Sequence, residues 1–185
     1  MSLRMRAFSA MAGAAVAVLA AGCSLVHSSP VSSSTAVGTT IFPSGQRPAL
    51  PVVSGPTLTG GKLRLAADRG HVIVLNFWGS WCSVCQQEAP ALAAAARQFT
   101  RSGVRFVGVD VADDAASGRG YMRQHGLGYP SLNDPGDRIA AEFNQLIPIT
   151  AFPSTLVVAP DGRIAGRIIG AAHYRALRRL IKAAL

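Results

Sequence analysis

Two cysteines separated by two residues carry the strongest chemical signal in the chain. Cys82 and Cys85 follow an apolar run, and the stretch after them has helical spacing. A helix N-terminus carries partial positive charge and unpaired N–H groups, which can lower a cysteine pKa from about 8.5 into roughly the 3.5–7.5 range. We therefore expect Cys82 to exchange with a partner disulfide and Cys85, one turn further in, to resolve the mixed disulfide.

Other uses of such a pair find less support. Structural zinc sites need four ligands, and the four histidines are not paired at ligand spacing. Haem attachment needs His directly after the second cysteine, where Gln86 stands. A purely structural disulfide across so short a loop would restrict the unfolded chain only modestly. Redox chemistry is favoured, with metal binding and a structural disulfide as the alternatives.

The elements around the pair alternate between strand and helix. The apolar run Val72–Trp78 predicts a strand buried on both faces, and a helix is expected from about Ser83 to Thr100. Further elements are predicted along the chain: a hairpin at 57–65, strands at 104–110 and 131–132, short helices at 119–125 and 137–144, a hairpin at 155–169 and a final helix at 173–184. Together they predict an α/β fold, a mixed central sheet with helices on both faces.

Composition excludes several classes of protein. Hydrophobic residues make up 49% of the 185 residues and charged residues 15%, which excludes a disordered chain. Three cysteines are too few for a disulfide-stapled mini-protein, and no apolar run reaches the roughly 18–20 residues of a membrane helix. A polytopic transporter is therefore excluded.

The N-terminus has the pattern of an export signal. Arg4 and Arg6 precede an uncharged, Ala-rich stretch from Phe8 to Ala21, and small residues lead into Cys23. This pattern resembles a lipoprotein signal, which implies acylation of Cys23; an ordinary cleaved signal and an uncleaved anchor are the alternatives. We expect a signal peptide over 1–22, a Ser/Pro-rich tether over 23–55 that is disordered at 24–51, and a globular domain over 56–185.

Two separated motifs resemble one family. The segment Asn76–Pro90, with its Trp-Cys-Ser-Val-Cys core, is similar to the active-site segment of thioredoxin-like proteins of the TlpA/ResA type. Phe152–Val158, followed by Pro160-Asp161-Gly162, resembles that family's cis-proline strand and hairpin. Residues 111–146 resemble the helical insertion of this branch. The resemblance covers about residues 56–185 and implies the thioredoxin-like fold.

The resemblance assigns roles by position. Cys82 matches the nucleophile and Cys85 the resolving cysteine, and together they would form the redox-active disulfide. Pro153 matches the proline whose cis peptide faces the pair; an ordinary trans proline is the alternative. Trp81, Phe152 and Pro153 would form a docking surface for a partner chain, whereas a core aromatic is the other interpretation of Trp81.

Two positions depart from the resembled pattern. Val84 stands where the residue before the second cysteine is usually Pro, and Asn76 stands where ordinary thioredoxins keep a buried acid. An amide cannot take a proton as a carboxylate does, so the base for Cys85 is not identified. Glu88 matches a common family acid, and a helix-surface glutamate is the alternative.

The resemblance implies an enzyme, an extracytoplasmic thiol:disulfide oxidoreductase held at the outer face of the membrane by a lipid anchor. The branch implies a reductant of protein disulfides, with apocytochrome c thiols as a candidate substrate and a membrane electron donor of the CcdA/DsbD kind. No cofactor, metal or nucleic acid is expected. A Dsb-like oxidase that forms disulfides is the alternative enzyme, and a non-catalytic binding lipoprotein is the alternative of another class.

The C-terminal helix is strongly basic. No acid follows Asp161, and one stripe of the helix carries four cations: Arg175, Arg178, Arg179 and Lys182. The stripe is interpreted either as a solvated face or as a surface that lies on anionic lipid.

Overall fold

A six-stranded mixed sheet organises the chain, and the computed structural model describes residues 37–148 and 150–185. The strands in chain order are β1 (Gly38–Ile41), β2 (Ser54–Pro56), β3 (Lys62–Arg64), β4 (Ile73–Trp78), β5 (Arg105–Val111), β6 (Ser131–Asp134), β7 (Ser154–Val158) and β8 (Ile164–Ile169). The large sheet has the order β1-β8-β7-β4-β5-β6, and β2 and β3 pair separately as a hairpin. β4, β5 and β6 run parallel, whereas β7, β8 and β1 join antiparallel.

Within residues 37–148 and 150–185, four α-helices cover the sheet on its two faces. They are α1 (Ser83–Phe99), α2 (Ala115–His125), α3 (Arg138–Ala141) and α4 (Tyr174–Ala184). Apolar side chains of α1, α2 and α4 share one core with Val74 and Trp78 of β4. Ala140 of α3 belongs to the other core, together with Leu75 and Phe77. The predicted α/β fold with helices on both faces is confirmed.

The central strand and the helix after it follow from their sequences. All six residues of β4 are buried, as expected of an apolar run between two helical layers. α1 begins after Cys82, whose sulfur accepts the backbone N–H of Cys85. α2 begins earlier than its apolar residues indicated, because the side chain of Asp114 accepts the N–H groups of Ala116 and Ser117 and caps the helix.

The expected boundary of the globular domain at residue 56 is wrong. Residues 38–41 form β1, which pairs with β8 from Gly38↔Ile169 to Ile41↔Gly166. An edge strand needs backbone hydrogen bonds more than buried side chains, and β1 is mostly exposed. Its four residues therefore lack the alternation of apolar and polar side chains that predicts a strand, and the sequence did not indicate β1. The signal peptide over 1–22, Cys23 and the tether up to residue 36 lie outside the described residues.

No helix among the described residues is both long enough and apolar enough to cross a membrane.

Candidate active site

The two cysteines lie at the junction of β4 and α1. Cys82 and Cys85 are joined by a disulfide, with their Cα atoms 5.2 Å apart. Cys82 caps the helix, and its Sγ accepts the N–H of Cys85 at 3.1 Å. Cys82 is 6% exposed and Cys85 is fully buried. Only the first sulfur is therefore positioned for a partner, and the second lies behind it.

A buried carboxylate lies one helical turn beyond Cys85. Glu88 is 2% exposed, so the surface-glutamate interpretation is wrong. Its Oε1 accepts from Asn76 Nδ2 at 2.7 Å, and its Oε2 accepts the N–H of Ala172 at 2.7 Å. The same Asn76 amide also donates to Thr155 Oγ1 at 3.1 Å. Burial raises the pKa of Glu88 to about 7, although both hydrogen bonds favour its ionised form.

Two tyrosines extend this buried polar region. Tyr121 of α2 donates its hydroxyl to the carbonyl of Cys85 at 2.7 Å and stacks on Trp78, with ring centroids 4.5 Å apart. Tyr129 is buried nearby. Burial raises the pKa of both phenols, and the charge of Glu88 adds to the effect. Both tyrosines therefore remain neutral and cannot replace Glu88 as a base near neutral pH.

Hydrogen bonds join two loops at the active site. One loop connects β5 to α2, and the other connects β4 to α1 and carries Cys82. Asp113 Oδ2 accepts the N–H of Ser80 at 2.7 Å, and its Oδ1 accepts the N–H of Asp114 at 2.9 Å. Trp81 Nε1 donates to the carbonyl of Val111 at 3.1 Å. A Cβ at Gly79 would clash with the Trp81 indole, so glycine is required for this packing. The two loops therefore form one unit.

A second buried acid, Asp110, lies close to these two loops. Asp110 is fully buried at the end of β5, and no donor from the described residues reaches either of its oxygens. A Cβ at Gly118 of α2 would clash with its carboxyl group. Burial first, then the negative charge of Asp113 and a side-chain hydrogen bond that protonated Asp110 donates toward Asp113, and then the charges of Asp114 and Asp134, raise the pKa of Asp110 to about 8. Asp110 is therefore largely protonated at neutral pH.

An apolar surface borders Cys82. Trp81 is 54% exposed and Val84 39% exposed, so the core interpretation of Trp81 is wrong. The Phe152 ring meets Trp81 edge-on, with centroids 6.1 Å apart. The predicted cis peptide at Phe152–Pro153 is confirmed. Phe152 and the cis proline directly precede β7, and the Phe152 ring meets Trp81 of the loop before α1.

Sequence reasoning left Glu88 between two interpretations and missed Asp113. Glu88 lies three positions after Cys85, the spacing that places two side chains on one helical face, and that spacing could have indicated its burial. Asp113 had no comparable signal, because only the parallel pairing of β4 with β5 brings its loop to Ser80. No cluster of three or more metal-ligating side chains occurs within 37–148 and 150–185.

Comparison with known proteins agrees with the fold and the site. The curated thiol-disulfide oxidoreductase ResA of Bacillus thuringiensis is 27% identical over 113 residues, which cover 61% of this chain and 63% of that protein. The chain thus spans about three fifths of the curated relatives that it matches.

Solved structures share the same architecture. A DsbF homologue from Corynebacterium diphtheriae has a TM-score of 0.74 and 25% identity, covering 79% of this chain and 92% of its own. A secreted Mycobacterium tuberculosis disulfide oxidoreductase described as homologous to E. coli DsbE has a TM-score of 0.63 and 26% identity, covering 71% and 95%. The thioredoxin-like fold is thus confirmed. Because the AhpC/TSA family model matches residues 47–167, well over half of its length, the chain belongs to the AhpC/TSA family.

Proposed function

We propose that this protein is a thiol-disulfide oxidoreductase that reduces disulfides of other proteins outside the cytoplasm. The observation that carries the proposal is the Cys82–Cys85 disulfide at the start of α1, with Glu88 buried one turn behind it. The relatives named ResA and the solved oxidoreductases support it. A binding protein without catalysis would not need a buried acid beside a cysteine pair.

In the reduced protein the Cys82 thiolate attacks one sulfur of the substrate disulfide. A mixed disulfide forms, and the other substrate sulfur leaves as a thiolate that takes a proton. Cys85 then loses its proton and attacks Cys82 Sγ, which forms the Cys82–Cys85 disulfide and releases the second substrate thiolate. The substrate gains two electrons, and the cysteine pair is oxidised.

Glu88 is the group best suited to take the proton from Cys85. It lies one turn away on the same helix, it is buried, and its pKa of about 7 is near the working pH of a general base. Asn76 holds the carboxylate in position through a hydrogen bond of 2.7 Å. Glu88 on α1 thus provides the base that an amide at position 76 cannot provide.

Charge around the pair favours the reducing direction. The helix N-terminus stabilises a thiolate at Cys82, whereas an ionised Glu88 repels a charge at Cys85. A disulfide-forming oxidase with a Cys-x-x-Cys pair is a strong oxidant when its reduced, thiolate-containing form is stabilised. The buried carboxylate opposes that stabilisation, so the reductant is favoured over the disulfide-forming oxidase.

The redox potential of the pair tests this proposal. In glutathione or dithiothreitol buffers, with alkylated thiols counted by mass spectrometry, we expect a potential closer to about −270 mV than to about −120 mV. A Cys85→Ser variant should hold mixed disulfides through Cys82. A value near −120 mV would assign the oxidase instead, and faster alkylation of Cys85 than of Cys82 would reverse the two roles.

The place of action and the substrate are also part of the proposal. The sequence pattern before Cys23 and the secreted relative support export, with Cys23 acylated so that the domain stays at the outer face of the membrane. Trp81 and Phe152 offer an apolar surface for an extended partner chain. Apocytochrome c, with its own pair of closely spaced cysteines, is the candidate substrate, and a membrane donor of the CcdA/DsbD kind would return the electrons.

A further inference from the structure

The helices α1, α2 and α4 cover one face of the sheet, and the outward side of this layer is rich in exposed cations. We call it the cationic face; its exposed basic side chains are Arg97, Arg101, Arg119, Arg123, Arg175, Arg178, Arg179 and Lys182. α1 and α4 pack together, and the Tyr174 hydroxyl donates to Gln98 between them. The only acid in either helix is Glu88, which is buried.

The other side of the described domain is not charged in this way. Outside the cationic face, exposed cations occur together with partly or fully exposed acids. The cations are Lys62, Arg64, Arg69, Arg105, Arg138 and Arg163, and the acids are Asp68, Asp137, Glu142 and Asp161. The acids nearest the cationic face, Asp113 and Asp114, lie at the start of α2, where they hold the active-site loop and cap the helix. Positive charge therefore accumulates on one side of the molecule, away from that loop.

The first described residues, Val37 and the strand β1 after it, lie close to the start of α4. β1 pairs with β8, the strand that leads into α4. A Cβ at Gly170, just before α4, would lie 3.3 Å from Val37 Cγ1, and Arg47 donates to the carbonyl of Ala183 at 3.1 Å. Val37, the first described residue, thus lies at the edge of the domain that carries α4. The sequence 24–36 could span at most about 45 Å from Cys23.

We infer that the cationic face, centred on α4, binds the anionic phospholipid surface of the membrane. Each exposed Lys or Arg near such a surface adds attraction, and several act together over a Debye length. A chain attached beside α4 brings this face to the bilayer first. The inference rests on the membrane attachment proposed above. It implies that the Cys82 loop is held in a defined orientation relative to a membrane donor.

The two lysines of the chain provide a direct test. Lys182 lies on the cationic face. Lys62 lies on the β2–β3 hairpin, which meets the edge of that face where Arg119 donates to the carbonyl of Leu58 at 3.3 Å; Leu63, next to Lys62, packs against the core of the opposite side. The full-length protein is reconstituted in vesicles of phosphatidylcholine alone or with phosphatidylglycerol, and lysine acylation is followed by mass spectrometry. We expect phosphatidylglycerol to slow acylation of Lys182 by roughly threefold or more while Lys62 is unchanged, and high salt to remove the difference.

Two matched variants test whether the protection of Lys182 depends on the cationic face itself or only on the net charge of the protein. Arg175→Gln, Arg178→Gln and Arg179→Gln together should abolish the protection of Lys182. Arg64→Gln, Arg69→Gln and Arg138→Gln change the charge equally at exposed positions outside the face and should leave it intact. Equal protection on both lipids, equal protection of Lys62, or loss of protection in the control variant would overturn the inference.

Flotation with neutral vesicles measures membrane attachment through the lipid anchor alone, without a contribution from the cationic face. If the chain does not float, the proposed attachment fails, while Lys182 protection on phosphatidylglycerol still tests the face. Protection by a soluble polyanion but not by vesicles would assign the face to another partner and contradict the inference. The redox potential of the cysteine pair is measured separately, so a failure of the proposed activity is not confused with either result.

Discussion

At the scale of single residues, the buried acid of this site lies on the helix, and an amide stands on the strand where ordinary thioredoxins keep an acid. Asn76 occupies the central strand, and Glu88 occupies the helix that faces it, with 2.7 Å between Asn76 Nδ2 and Glu88 Oε1. Ala172 holds the other carboxylate oxygen through its backbone N–H. These two bonds hold the carboxylate in a buried setting one helical turn beyond Cys85, and burial raises its pKa to about 7.

A Glu88→Gln variant should lose the pH dependence that this carboxylate provides. We expect oxidation of the reduced pair by glutathione disulfide to slow about tenfold or more at pH 7, because the base for Cys85 is absent. The rate profile between pH 5 and 9 should also lose its inflection near neutral pH. Glu142→Gln, the same change at an exposed position, serves as the control. An unchanged inflection would leave Glu88 with a purely structural role.

At the scale of elements, the active-site loop depends on a neighbour that is distant in sequence. The parallel pair β4 and β5 ends with Trp78 opposite Asp110, so the loops that follow both strands emerge together. Asp113 then bonds to Ser80, and the Val111 carbonyl bonds to the Trp81 indole. The orientation of the Cys82 loop is set by these contacts as much as by α1.

An Asp113→Ala variant should loosen the active-site loop without unfolding the domain. Two hydrogen bonds are lost, including one of 2.7 Å from Ser80, and we expect the free energy of unfolding to fall by about 1–3 kcal/mol. Hydrogen exchange should be faster at Ser80. Asp114→Ala removes the neighbouring cap of α2 at a similar cost but should leave exchange at Ser80 unchanged. Equal acceleration in both variants would contradict the role of Asp113.

At the scale of the whole molecule, the face of the sheet covered by α1, α2 and α4 contains two buried carboxyl groups, Glu88 and Asp110. Burial raises their pKa values to about 7 and about 8, above the values of the unfolded chain. The native state therefore binds more protons than the unfolded state between about pH 4 and 8. The resulting stabilisation is complete below about pH 4 and is lost as the pH rises through these folded-state values.

The oxidised protein should accordingly be less resistant to urea at pH 8 than at pH 5. An Asp110→Asn variant keeps the shape of the neutral acid and can still donate toward Asp113, so its free energy of unfolding should vary less with pH over this interval. Urea titrations at pH 5, 6.5 and 8 measure the slope, with Asp68→Asn as a control at a partly exposed position. A slope unaltered by Asp110→Asn would show that this carboxyl does not hold its proton in the native state.

The sequence alone determined the cysteine pair, the buried strand before it, the helix after it, and the separated Phe152-Pro153 motif, because each depends on local spacing. Tertiary structure alone decided that Glu88 is buried against Asn76, that Asp113 holds Ser80, and that β1 completes the sheet beyond the expected domain boundary. Local propensity reports which face of an element is apolar. It does not report which strands pair, and here pairing decides which polar groups lose water and which partners they find.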